Sequence, residues 1–454
     1  MKRTPLEAWI AFLAAGGGEG RDAATFDRST LERYQLRRLR ETLDLARARS
    51  SFYRRHLAGT DLDLASIDDL RRLPFTTAGD IRANPLGLVC VSQDEISRVV
   101  TLDSSGTTGP PKRLYFTRAD QALTVDFFRV GMSTFTGPGD RVLILLPGET
   151  PGSVGDLLAT ALRDLGAVPI RHGPVRDPGQ TLRIAAQERV SVMVGVPTHV
   201  LRLARHAPAA PALPHLHSIL LSTDHVPAAI VAEIERTWDC RVYNHYGATE
   251  MGLGGGVDCA ARRGYHLREA DLLFEIVDPG NGEPVAGGAE GEVVFTTLTR
   301  VGMPLVRYRT GDLSRWLAGP CPCGTGLRTL AHVTTRVGAA VPLGTAGLLA
   351  QADLDEAVFG VEGVLDFAGS VTRPGTRAAL AIRVEAAQRP SAVVRDEVDR
   401  ALRTVPVIVG ANASGDLASI EVIVGSGHVS GPTLAKRSVR DADCIQASAE
   451  NSPG

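Results

Sequence analysis

Residues 102–117 read LDSSGTTGPPKRLYFT. Six consecutive positions hold Ser104, Ser105, Gly106, Thr107, Thr108 and Gly109, and Pro110, Pro111 and Lys112 follow. The segment before, SRVVTL, reads as a strand; the segment after, from Ala119 to Phe128, reads as the start of a helix. A loop of small residues between strand and helix lets backbone N–H groups and hydroxyls approach phosphate oxygens closely. Lys112 adds a point charge for the same anion. The Walker pattern is excluded, because its GK[ST] ending is missing. A plain flexible loop is the alternative. The ordered run of paired Ser, paired Thr and Pro-Pro-Lys favours the phosphate loop.

Downstream, from 141 to 245, short apolar runs (RVLILL, AVPI, SVMVGV, SILLS, CRVYN) alternate with helical stretches (DLLATALRDLG, TLRIAAQER, THVLRLARHA, PAAIVAEIERTW). That alternation predicts a parallel sheet covered by helices on both faces, with ligands beyond the carboxyl ends of the strands. Three stretches lie there: the loop, Ser222–Thr223–Asp224, and Tyr243–Glu250 (YNHYGATE). In the last, a strand runs into a Tyr246–Gly247 turn and an exposed Thr249 and Glu250. An acid beside a phosphate loop can hold Mg²⁺, and Tyr246 can stack on a base. His245 stands at the strand end, where it could line a substrate pocket; the other histidines read as surface or packed residues. From 271 the pattern is β-rich. Arg309–Thr310–Gly311–Asp312 reads as a tight turn whose carboxylate can accept two hydroxyls of a ribose.

With these motifs in order, the chain resembles the adenylate-forming enzymes, and within them the phenylacetate–CoA ligase branch. The resemblance spans about residues 30–340. It includes Ser51–Phe52–Tyr53–Arg54, Leu73–Pro74–Phe75–Thr76–Thr77, and the TTLTR, MPLVRYRTGD and CPCG segments. It implies an α/β fold: a large N-terminal domain (1–335) of helix-covered parallel sheets with a β-rich subdomain, and a small mobile α+β domain (336–454). It implies ATP, Mg²⁺, a carboxylic acid of aromatic type, and CoA as acceptor. Ser104 to Thr108 and Lys112 would surround the triphosphate, and Glu250 would bind Mg²⁺. Tyr246, Gly247 and Ser222–Asp224 would contact adenine or the adjacent substrate, Asp312 the ribose, and Arg336 the nucleotide from the domain junction. The hinge departs from the family pattern, with Gly338 where an Asp is usual. Lys436, in Leu434–Arg437, is a candidate adenylation lysine without the usual preceding Gly; a solvated tail lysine is the other reading. Two alternatives follow: ATP-dependent activation of nitrite to diazotise an aryl amine, as in some relatives from secondary metabolism, and a non-catalytic nucleotide-binding protein.

Cys259, His266, Cys321 and Cys323 make three thiolates and an imidazole, a closed tetrahedral set of structural zinc type. Unrelated surface thiols and a solvated His are the alternative. Cys90, Cys240 and Cys444 read as packed or surface thiols. Lys+Arg number 49 against Asp+Glu 51, a net charge of −2, which argues against nucleic acid or an anionic membrane as partner. No apolar run approaches the ~20 residues of a membrane span. The segment KRTPLEAWIAFLAAGGG reads as an amphipathic helix and not a signal peptide. Few cysteines suit a reducing cytoplasm. A homodimer is left open, and residues 445–454 read as a disordered tail.

Overall fold

Strand Ile96–Leu102 pairs antiparallel with strand Lys112–Thr117, closing at Leu102↔Lys112 in this computed structural model. The described residues are 2–17, 26–102, 111–207, 211–387, 389–425 and 437–442. The expected strand–loop–helix is therefore a hairpin, and a helix follows it at Arg118–Met132. Two-residue alternation decides this: Leu114 and Phe116 are buried while Arg113 is exposed, as one covered face of a pleated strand requires. The helix starts where Thr117 and Asp120 form a capping box. Asp120 also accepts the N–H groups of Val301 and Gly302.

The chain divides into two compact units, one of residues 1–173 and 243–333, the other of 174–242 and 334–454. In the first unit, helices Pro5–Ala14, Arg28–Arg49 and Ser51–His56 precede the hairpin. Thr77 caps the short helix Ala78–Ala83 as expected. Strands Arg141–Ile144 and Val168–Arg171 run parallel, joined by helix Val154–Asp164. Strand Arg241–Tyr246 carries the chain back into this unit. It continues antiparallel through Gly256–Asp258 and Tyr265–Leu267 to Thr329–Leu330. The β-rich part is the antiparallel set Leu272–Val277, Gly291–Thr297 and Tyr308–Ser314.

One core joins Leu39, Leu43 and Tyr53 to Leu272, Phe295, Leu305 and Tyr308. It explains the SFYR and LPFTT motifs. Tyr53 lies wholly buried with its hydroxyl 3.0 Å from Thr76 Oγ1, accepting the Val306 N–H at 2.9 Å. Thr76 Oγ1 donates to the Val306 carbonyl, so the Tyr53 hydroxyl donates to Thr76. Arg307 is buried on Glu275 and on the carbonyls of Arg71 and Leu73.

Residues 309–312 are also not a turn. They lie inside strand Tyr308–Ser314, where the register shifts opposite Glu292–Val294. Gly311 takes φ +76° and donates its N–H to Glu292, while Thr310 donates to the Val293 carbonyl. The partner strand thus satisfies the residues that would otherwise leave the ladder, giving a bulge.

In the second unit, strands Val192–Gly195 and Ser218–Leu221 are parallel, flanked by helices Pro178–Gln187, Pro197–His206 and Ala228–Trp238. After 334, helix Gln351–Phe359 precedes a sheet of Val364–Thr372, Ala378–Ala386 and Leu417–Gly425 with the short Arg440–Asp441. Strand Val364–Thr372 and helix Pro406–Ala413 were not anticipated. Arg202 holds Glu385 through both nitrogens, and Glu356 accepts the first N–H groups of helix Ala228–Trp238. No helix among the described residues is long and apolar enough to cross a membrane.

Candidate active site

Lys112 opens the second strand of the hairpin, and its ammonium pairs with Oε1 of Glu250. The Tyr308 hydroxyl donates to the same oxygen at 2.8 Å and lies 3.5 Å from Lys112 Nζ. Glu250 is only 6% exposed, which corrects the expected exposed acid. Its short helical turn, Thr249–Met251, ends at Gly252 with φ +74°. The turn is pressed inward by the Arg300 guanidinium on the Glu250 carbonyl (2.6 Å) and by Thr124 on the Gly252 carbonyl (2.8 Å). Burial pushes the Glu250 carboxyl up. The Lys112 ammonium and the Tyr308 hydroxyl more than offset that, so the group sits below its ordinary value and stays ionised.

Four residues upstream on the same segment, the Tyr246 hydroxyl donates to Asp312 at 3.0 Å. Two rungs therefore link residues 246–250 to strand 308–312: Tyr246 to Asp312, and Glu250 to Tyr308. The Tyr246 ring is buried, stacked on Tyr265 with centroids 5.5 Å apart. Burial and the Asp312 carboxylate hold its phenol well above the usual range. Gly247 has no room for a side chain, since a Cβ there would lie 2.3 Å from the Leu253 carbonyl. Thr249 is half-buried. His245 is half-buried beside Phe127 and Phe128, with ring centroids 6.3 and 6.1 Å away. Burial lowers its pKa to about 4 and keeps it neutral.

Tyr308 and Arg300 carry no role in the sequence reading. Alternation reveals Tyr308: residues 308, 310 and 312 are the inward set of their strand. Arg300 closes the TTLTR segment, but nothing local gave its role, because its partner is a carbonyl 50 residues away in sequence.

Ser104 to Gly109 and Lys436 lie outside the described residues. Ser222, Thr223, Asp224 and Arg336 belong to the second unit. There Thr223 adopts φ +80°, strained for a β-branched residue. Asp224 accepts the Arg437 N–H at 3.3 Å, with the Arg437 guanidinium 3.5 Å away. Arg336 is exposed.

Cys259, His266, Cys321 and Cys323 converge, all buried, with their ligand atoms within 4.8 Å of one another. Sγ of Cys259 and Cys321 are 3.6 Å apart, as are Sγ of Cys323 and Nε2 of His266. A tetrahedron with Zn–S bonds of about 2.3 Å puts sulfurs ~3.8 Å apart. His266 Nδ1 faces the Arg328 carbonyl at 3.2 Å. That contact selects the tautomer whose Nε2 lone pair meets the sulfurs. Burial lowers the His266 pKa, favouring the neutral ligand form. The residues fit a zinc ion. Cys90 and Cys240 are buried, as expected of packed thiols, and Cys444 lies outside the described residues.

Residues 64–299, more than half the chain, match the family model described as AMP-binding enzyme. The chain belongs to this family. Phenylacetate-coenzyme A ligase from Thermus thermophilus is 31% identical over 315 residues, 66% of this chain and 69% of that one. The Aromatoleum evansii enzyme of the same name is 30% identical over 317 residues, 67% and 70% of the two chains. These relatives place this AMP-binding enzyme in the phenylacetate–CoA ligase branch. Its fold matches that of 2-hydroxyisobutyryl-CoA ligase solved with 2-HIB-AMP in the postadenylation state. The TM-score is 0.79 at 22% identity, covering 94% of this chain and 93% of that one.

Proposed function

We propose that the two rungs form the nucleotide-handling edge of an ATP-dependent acid–CoA ligase. The enzyme is adenylate-forming: a carboxylate attacks the α-phosphate of ATP, pyrophosphate leaves, and the acyl-AMP passes its acyl group to the CoA thiol with release of AMP. The observation that carries this is the cluster of half-buried Lys112 with buried Glu250 and Tyr308 at the base of the phosphate-loop hairpin, beside Tyr246–Asp312. Lys112 binds the polyphosphate with Ser104 to Gly109, and Asp312 takes the ribose hydroxyls. Glu250 holds Mg²⁺, which when bound supplies charge neutralisation at the phosphates. In the second unit, the role proposed for Ser222–Asp224 and Arg336 is nucleotide binding, and that for Lys436 is adenylation, in a functional C-terminal domain of residues 336–454. His245, neutral and set among Phe127 and Phe128, supports an aromatic acid as substrate. The cysteine–histidine cluster holds a structural zinc ion.

The test is pyrophosphate release from ATP and Mg²⁺ across a panel of aryl and short hydroxy acids, with and without CoA. Acid-dependent release with thioester formation is the expected result. The relatives favour this over nitrite activation; release only with nitrite and an aryl amine would reverse that choice. No release with any substrate would leave a nucleotide-binding role.

A further inference from the structure

The cluster around Glu250 poses a problem of charge. An ionised carboxylate this deeply buried needs a cation and hydrogen bonds at every stage of the reaction. Lys112 supplies the cation. If Glu250 receives a divalent cation and Lys112 a polyphosphate, as proposed above, the Lys112–Glu250 pair must part. The two charges exchange partners, and neither is left unpaired. Two groups need not move. Arg300 grips the Glu250 carbonyl, and Tyr308 grips Oε1 while its ring packs 5.5 Å from Phe295 in the core. Lys112 and Tyr308 both bond the same carboxylate oxygen, Oε1. When Lys112 leaves, the neutral Tyr308 hydroxyl is what still fixes the rotamer.

We propose that Tyr308 is a positioning residue for the nucleotide's divalent cation. Its hydroxyl holds Glu250 Oε1 while Lys112 passes from the carboxylate to the polyphosphate. This rests on the reading of Glu250 as the cation's carboxylate.

The experiment measures Mn²⁺ binding from the electron paramagnetic resonance signal of free Mn²⁺, with a non-hydrolysable ATP analogue and protein in excess over it. Tyr308→Phe should weaken Mn²⁺ binding about ten-fold, the loss typical when a partner that orients a metal ligand is removed. Metal-free analogue binding should fall by clearly less than the Mn²⁺ affinity does. Glu250→Gln should weaken Mn²⁺ binding more than Tyr308→Phe does, to a residual affinity read at higher protein and Mn²⁺ concentrations. The double variant should bind no more weakly than Glu250→Gln alone, because Tyr308 acts through Glu250. Unchanged Mn²⁺ affinity in Tyr308→Phe, or additive losses in the double variant, overturns the inference. Unchanged affinity in Glu250→Gln sinks the underlying reading instead. Should Tyr308→Phe not fold, Tyr308→Leu removes the same hydroxyl without adding a donor or a metal ligand, and the same outcomes apply.

Discussion

At the scale of single residues, Glu250 and Lys112 stabilise each other only as a pair. Removing Lys112 leaves Glu250 a buried, uncompensated charge, a loss of about 3–5 kcal/mol in comparable sites. Lys112→Met should therefore lower the melting temperature markedly and abolish pyrophosphate exchange. Lys112→Met/Glu250→Gln should recover most of the melting temperature and none of the exchange. Calorimetry and the exchange assay on the same samples separate the two effects. His245 makes a second prediction. Its folded-state pKa of about 4 lies below the ordinary ~6.5, so protons bind the unfolded chain preferentially. Its contribution is fully present above pH 6.5. It declines as pH falls towards 4, by ~3 kcal/mol in total. A His245→Phe variant should show a flatter stability profile between pH 6.5 and 4 in urea titrations; an unchanged slope would remove His245 as the cause.

Elements meet through a few buried polar knots. The Tyr53 hydroxyl ties helix Ser51–His56 to the segment leading into strand Tyr308–Ser314, through Thr76 and Val306. Tyr53→Phe leaves the Val306 N–H without this acceptor, a loss of about 1–3 kcal/mol, read as a lower urea midpoint with an unchanged m-value. The thiol–imidazole cluster is a second knot. Cys259 and His266 flank a strand turn, and Cys321 and Cys323 sit on a knuckle. Glu7 of the first helix binds Thr325 and Gly326 just beyond it. Tyr265, next to His266, stacks on Tyr246, which holds Asp312. The purified protein should carry one zinc per chain by elemental analysis. Chelation or Cys321→Ser should lower the melting temperature and weaken AMP binding together. A chain free of zinc and indifferent to chelators would return these residues to ordinary packed thiols.

Across the whole molecule, the C-terminal segment is anchored within the second unit by Arg437. It pairs with Asp355, 0% exposed, and lies within 3.6 Å of Asp224 and Asp366. Burial pushes the Asp355 carboxyl up, against the pull of Arg437. Arg437→Ala strands that carboxylate, and limited proteolysis should cut residues 334–454 earlier than in the parent. The alternation of apolar runs and helical stretches between 141 and 245 was legible from sequence because each element buries a stripe of its own periodicity. The metal-ligand set was legible because ligand chemistry restricts residue types. The hairpin at 96–117 and the bulge at 309–312 were misread as a strand–helix loop and a turn. Small residues and glycine report backbone freedom, whereas pairing is decided by a partner strand distant in sequence. The same cause hid Arg300 and made Glu250 look exposed, whereas the two-residue alternation of its strand does mark Tyr308 as inward-facing. The local chain dictated element types, the AMP-binding signature and the cysteine–histidine set. Only the tertiary structure decided which charges are buried and what compensates them. Burial and pairing come from contacts between segments up to hundreds of residues apart, and no local pattern encodes those.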